Sequence, residues 1–309
     1  MVFRPPEIPP ELRTLMSEIG PRWSVNRPQN IATMIERFSD VLRQSPRDDV
    51  EVTCNTSYGL HPRQELDIYR SDRSGSRQAA VLFVHGGAFM DGHRNRTDMV
   101  YSNVPVYFAR HRIVGINVGY RLGGDIGYPG ATEDVASALR WTRTHANDLG
   151  IDLARIFLMG HSAGAAHTSS YAYDKRLQSA DGPGLAGHIV LSGRVRAENM
   201  PENPNGEKVV KYYGTSDASQ LNDLSPVTHV DGDSVPTFVA WGEYENPLID
   251  VHCAELVFRL SQAKRRSPPT VWLRGHNHTS TMAHIGTTEE LLGLSIPGFH
   301  RSSPLIIPR

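Results

Sequence analysis

Cysteine is almost absent from this chain of 309 residues: there are two, Cys54 and Cys253, far apart in sequence. Two thiols so placed supply neither a disulfide framework nor a cysteine zinc site, and both read as core thiols. An excess of one charge is missing too. Thirty-two Lys and Arg against 33 Asp and Glu leave a formal net charge of -1. That gives no electrostatic footprint for nucleic acid or an anionic membrane surface, so neither is expected as a partner. No apolar run approaches the roughly 18 residues of a membrane span, and prolines stand in MVFRPPEIPPELR where a signal peptide needs an apolar segment. A soluble, cytoplasmic protein is therefore expected. Internal repeats and low-complexity tracts are lacking as well.

What is present is an ordinary globular composition, 39% hydrophobic and 21% charged, in a chain long enough for a large core. Residues 1–45 are rich in proline and carry two helical patterns, at 10–19 and 29–42. In the second, Ile31, Met34, Ile35, Phe38 and Leu42 recur at helical spacing. An N-terminal helical arm or lid is expected here, with Trp23 and the 31–42 face lining a substrate entrance. From residue 46 onward a second unit is expected, reaching residue 309. Short β runs fall at 50–53, 65–69, 79–84, 113–118, 155–159, 188–191, 237–241 and 270–273, several apolar throughout, as strands covered on both faces should be. Helical stretches at 98–110, 132–148, 163–175 and 249–264 alternate with them. The alternation predicts an α/β fold, with a mostly parallel sheet, helices on both faces and a site at the carboxyl ends of the strands. Residues 192–235 form a long irregular insertion after a strand, the kind of segment that walls a pocket.

One turn focuses the question of function. Gly160-His161-Ser162-Ala163-Gly164 follows an apolar strand and opens a helix of small residues. Glycines two places either side of a serine allow a tight strand-to-helix turn that exposes the hydroxyl. A serine hydroxyl is a poor nucleophile unaided, so a base, an orienting acid and oxyanion donors must be found. Directly after another strand, His85-Gly86-Gly87-Ala88-Phe89 offers the amides of Gly86 and Gly87, which the amide of Ala163 would join. The loop after residues 237–241 contains Glu243, Glu245 and Asp250; Glu245, deepest in the turn, is preferred, while Asp250 suits the start of a helix. The loop after residues 270–273 contains His276 and His278, with His284 beyond. His278 is the preferred base and His276 the reserve. No cysteine or carboxylate cluster joins these histidines, so neither a metal nor another cofactor is expected. The order serine, acid, histidine is that of α/β-hydrolases. His161, Trp23, Arg194 and Arg196 are candidate substrate-binding residues. One of the two arginines could pair with a carboxylate on the substrate, as in a half-ester.

Together these elements resemble α/β-hydrolase esterases with an HGG oxyanion motif, a group that includes hormone-sensitive-lipase-like carboxylesterases and the arylformamidase and feruloyl-esterase-like branch. The resemblance spans about residues 50–286 and rests on Leu66-Asp67-Ile68-Tyr69, the HGG stretch, Gly119-Tyr120-Arg121-Leu122, Tyr128-Pro129-Gly130-Ala131 with Asp134, the serine turn, Glu245-Asn246-Pro247-Leu248 and Gly275-His276-Asn277-His278. It implies an eight-stranded sheet and serine-dependent hydrolysis of a small-molecule ester through an acyl-enzyme. Two departures touch the acid: glutamate replaces the usual aspartate of the G-x-x-D pattern, and Asn246 separates it from the proline. Thr279, where the lipase-like group has an aromatic residue, favours the arylformamidase and feruloyl-esterase-like branch. An activated aryl formamide is thus an alternative substrate, and a ligand-binding pseudoenzyme is the reading from another class. A homodimer is an open possibility.

Overall fold

The computed structural model describes residues 4–71 and 77–289; the extreme ends of the expected arm and second unit fall outside them. Two helices, α1 (Pro10–Ile19) and α2 (Arg27–Arg43), precede the sheet. The strands are β1 (Glu51–Ser57), β2 (Glu65–Arg70), β3 (Gln78–Val84), β4 (Val114–Val118), β5 (Ile151–His161), β6 (Gly187–Leu191), β7 (Thr237–Tyr244) and β8 (Thr270–Asn277). They form one sheet in the order β1-β2-β4-β3-β5-β6-β7-β8. β1 and β4 run antiparallel to β2, and every other pairing is parallel. Each run read from sequence became a strand, with ends moved by a few residues.

The period of two along the strands divides the core. Ala79, Val81 and Phe83 of β3 face one apolar cluster, and Ala80, Leu82 and Val84 face the other. The first is covered by α3 (Asn103–Arg110) and by both N-terminal helices; the second by α4 (Gly130–Thr144) and α6 (Ala163–Tyr173). A short α5 (Ala146–Leu149) follows α4. Met34, Phe38, Val41 and Leu42 of α2 lie in the same cluster as Phe83, Val104 and Phe108. That face of the arm, expected at an entrance, is thus spent on core packing.

α3 starts later than its pattern suggested. The Thr97 hydroxyl accepts the amides of Met99 and Val100, and Tyr101 sits at φ 76°, which no right-handed helix accommodates. The insertion at 192–235 is less irregular than its sequence suggested and holds α7 (Gly206–Tyr213) and α8 (Ala218–Leu224). Asp217 caps α8 by accepting the Gln220 amide at 2.8 Å. Beyond it come α9 (Ile249–Lys264), its Cys253, Leu256 and Leu260 buried against Val190 and Val239, and α10 (Ser280–Ala283). Among the described residues no helix is long and apolar enough to cross a membrane.

Candidate active site

The parallel strands end together, and the residues singled out from sequence meet at those ends. Ser162 occupies the one-residue turn between β5 and α6 at φ 56°, ψ -120°. A residue with a Cβ is strained there and is held by its surroundings. Its N–H donates to the Leu191 carbonyl, and its own carbonyl accepts the amides of Ala165 and Arg194, each at 3.1 Å. The flanking glycines are required by close approach. A Cβ on Gly160 would lie 2.4 Å from Thr168 Oγ1, and one on Gly164 would lie 2.2 Å from the Val84 carbonyl oxygen.

His278 follows β8 and presents Nε2 to the Ser162 hydroxyl at 3.0 Å. Its Nδ1 is 2.5 Å from Glu245 Oε2. The other carboxylate oxygen, Oε1, accepts from the Ser192 hydroxyl at 2.6 Å and from the Gly242 amide at 2.8 Å. The Glu245 and His278 side chains are only 2% and 6% exposed, so this carboxylate depends on those three partners for the solvation it has lost. Ser192 Oγ lies 2.9 Å from Thr281 Oγ1, which donates to the His278 carbonyl at 2.9 Å. The two hydroxyls, in contact with each other, thereby brace the acid on one side and the backbone of His278 on the other. Neither hydroxyl was foreseen, since a lone Ser or Thr in a loop carries no distinguishing pattern.

The competing residues go elsewhere. Glu243 accepts the Gly275 amide at 2.8 Å, and Asp250 is exposed in the first turn of α9. His276 Nδ1 meets Ser280 Oγ at 3.1 Å, its Nε2 lies 3.5 Å from Glu289 Oε2, and its ring packs on His284. It orders the loop and does not reach Ser162.

His161 is buried, and burial, with His278 adding to it, depresses its pKa to about 3. The ring is therefore neutral. Its Nε2 lies 3.0 Å from the His278 carbonyl, which can only accept, so Nε2 carries the proton and Nδ1 accepts from the Tyr101 hydroxyl at 3.3 Å. Burial pushes the tyrosine up to about 12, partly offset by the Gly86 backbone beside it. The HGG loop and the carbonyl of His278 are thus joined through Tyr101 and His161. Of the expected donors, Gly86 packs against the serine, where a Cβ would fall 2.9 Å from Ser162 Cβ. Ala163 is the first residue of α6 and has no intrahelical acceptor, and the Gly87 amide meets no acceptor among the described residues. Gly87 has φ 152°, and a Cβ there would fall 1.6 Å from the Asp91 carbonyl oxygen.

The remaining candidates separate clearly. Trp23 is 2% exposed and donates Nε1–H to Asn246 Oδ1 at 2.9 Å, tying the arm to the loop that carries Glu245. Arg196 pairs bidentately with Glu255 through Nε and Nη2, and its Nη1 reaches Asn222. Arg194, 2% exposed, has its backbone against Ser162. A hydroxyl, an imidazole and a carboxylate aligned in this way can take a proton from the serine as its oxygen bonds to carbon, and amides at a helix N-terminus can receive the charge that develops.

The eight-stranded sheet and the strand-turn-helix at Ser162 define an α/β-hydrolase fold. The chain belongs to the BD-FAE family, which it matches over residues 66–259. It is 29% identical over 185 residues to the esterase LipI of Mycobacterium tuberculosis, a match covering 58% of this chain and 54% of that protein. It is 26% identical over 222 residues to a versiconal hemiacetal acetate esterase of Dothistroma septosporum, covering 71% of this chain and 63% of that protein. The chain therefore spans a little over half the length of these curated relatives. Among solved structures, a bacterial heroin esterase superposes with a TM-score of 0.64 at 21% identity, over 84% of this chain and 86% of that one.

Proposed function

We propose that this chain hydrolyses carboxylic esters of small molecules through an acyl-enzyme on Ser162. The observation that carries the reading is the 3.0 Å approach of His278 Nε2 to Ser162 Oγ, with Glu245 on the opposite ring nitrogen. Ser162 Oγ bonds to the ester carbonyl carbon while its proton passes to His278 Nε2. The carbonyl oxygen takes up the negative charge, facing the amides of Gly87 and Ala163. The Gly86 amide, on the same loop, is the third donor. Collapse breaks the bond to the alcohol oxygen, which leaves with the proton from His278. Water then bonds to the acyl carbon, gives a proton to His278 and releases the acid as the serine recovers its hydrogen. Glu245 keeps the ring in the tautomer that leaves Nε2 free to accept and stabilises the imidazolium. Family membership and relatives named as esterases support this reading.

The test is turnover of p-nitrophenyl acetate and butyrate beside an aryl formamide, with mass spectrometry of protein stopped during turnover. Ester turnover with an acyl adduct on Ser162, both abolished in a folded Ser162→Ala variant, is expected. Turnover that survives Ser162→Ala moves the chemistry elsewhere, and a kcat/KM that is higher for the formamide makes the protein an amidase.

A further inference from the structure

Two arginines follow β6, and the fold treats them in opposite ways. Arg196 is half-buried and answered in full by Glu255. Arg194 is 2% exposed, and among the described residues its guanidinium makes a single hydrogen bond, from Nη1 to the neutral Asn203 Oδ1 at 3.2 Å. No carboxylate among the described residues forms an ion pair with it. Glu198, the acid that most favours its charge, is already committed to His252 Nε2 at 2.6 Å. Five N–H donors on a side chain that keeps 2% of its exposure, with one acceptor among the described residues, is a costly arrangement for a protein to keep on stability grounds alone.

The guanidinium is also held in place. Asn203 Oδ1 accepts the Asn205 amide at 3.0 Å as well, and its Nδ2 donates to the Glu198 carbonyl at 2.7 Å, so the acceptor that orients Arg194 cannot swing away. The Arg194 amide donates to the Ser162 carbonyl, which roots the side chain beside the serine. A second cation, on the arm, opposes its charge. Arg27, half-buried at the start of α2, has no ion-pair or hydrogen-bond partner among the described residues, and it lies near enough to work against the charge on Arg194. Burial, with that repulsion, pulls Arg194 down to about 10, where it is still charged at neutral pH. A guanidinium with unused donors, rooted beside a reactive serine, forms a receptor for an anion.

We propose that the preferred substrate is an ester bearing a carboxylate, which Arg194 binds bidentately, the charge of Arg27 adding to the attraction; this rests on the ester-hydrolase reading above. The planar fork of Arg194 matches a carboxylate, and the low-dielectric surroundings strengthen the pair. The carboxylate can lie on the acyl or on the alcohol side of the ester. Two matched pairs distinguish these: p-nitrophenyl hemisuccinate against p-nitrophenyl butyrate, and 3-acetoxybenzoate against phenyl acetate.

The expected result is a kcat/KM at least about tenfold higher for the anionic member of one pair, the order of a single charge-assisted hydrogen-bond set. The preference disappears in Arg194→Met, recovers in part in Arg194→Lys and narrows in Arg27→Met. Should Arg194→Met fail to fold, competition against the wild-type protein decides: succinate or 3-hydroxybenzoate inhibits competitively while the corresponding amide does not. Hydrolysis of the neutral esters with no preference in either pair, or a preference untouched by the arginine variants, overturns the proposal and leaves the esterase reading standing. A folded protein that hydrolyses none of the four esters overturns both.

Discussion

The indole of Trp23 and the side chain of Asn246, 223 positions apart, share a buried hydrogen bond of 2.9 Å, and Asn246 adjoins Glu245. The arm is therefore part of what fixes the acid loop. Close by, a Cβ on Gly20 would sit 2.3 Å from the Tyr244 ring, so the turn between α1 and α2 is pressed against the end of β7. Trp23→Phe keeps most of the apolar bulk but leaves Asn246 without its donor, at an expected cost of about 1–3 kcal/mol in urea unfolding. Trp23→Ala adds the loss of the ring and costs about 3–5 kcal/mol. If the phenylalanine variant is as stable as wild type, this contact does not anchor the arm.

Removing residues 4–45 follows from the same packing. Met34 and Phe38 are fully buried against the face of the sheet that α3 also covers. A truncated chain exposes that face and is expected to aggregate or melt well below the full chain. A truncation that stays monomeric, with an unchanged melting temperature, shows the arm to be dispensable for the core.

Acid should destabilise this protein early. His85, His161, His167, His188 and His284 are all fully buried, and in each case burial is the leading cause of a pKa near 3. The unfolded chain takes up protons near the ordinary value of about 6.5, before the folded one can. Stability is thus fully present above that pH and falls as the pH is lowered towards 3, by up to about 1.4 kcal/mol per pH unit for each histidine. Urea unfolding at pH 8, 6 and 5 measures it. A free energy that stays flat from pH 7 to 5 would mean that these rings already carry protons in the native state.

Much of this architecture was legible because burial on both faces writes itself as short apolar runs, and every such run became a strand. The serine turn could be read because its glycines answer to backbone contacts that no other residue satisfies. Other motif residues turned out to hold the frame. Asp67 and Glu65 pair with the buried Arg94, while Asp134 collects the Arg121 guanidinium and amide together with Gln64. What stayed hidden depends on distant chain segments. Ser192, Thr281, Tyr101 and Asn246 matter because the sheet brings four separate loops together, and polar residues in loops have no periodicity to announce such a meeting. The two loop arginines could not be told apart for the same reason: the partner of Arg196 sits 59 positions away on α9.

The two histidines of the last loop should separate function from support. His278→Asn removes the group facing Ser162 Oγ and is expected to lower kcat on an activated ester by three or more orders of magnitude. His276→Asn disturbs the contacts to Ser280 and Glu289, so it lowers melting temperature while kcat stays within about tenfold of wild type. The reverse ranking would make His276 the base.

The sharpest division falls among the three acids of the loop after β7. Only Glu245 meets His278, at 2.5 Å, so Glu245→Gln alone removes the negative charge that stabilises an imidazolium and allows the ring to turn to the wrong tautomer. A fall in kcat of about three to four orders of magnitude is expected, with KM little changed, because the acid acts on the transition state and does not touch the substrate. Glu243→Gln keeps an acceptor for the Gly275 amide, and Asp250→Asn alters an exposed helix start; both should stay within about tenfold of wild type. Ser192→Ala falls between them. It removes one of the two further donors to Glu245 Oε1 but leaves the Gly242 amide, so the carboxylate loses support without losing its place. A loss of about tenfold, carried by kcat, is the expected mark of that positioning. If Glu243→Gln or Asp250→Asn costs more than Glu245→Gln, the acid belongs to that position instead. If Ser192→Ala matches Glu245→Gln, the hydroxyl and not the carboxylate fixes the imidazole.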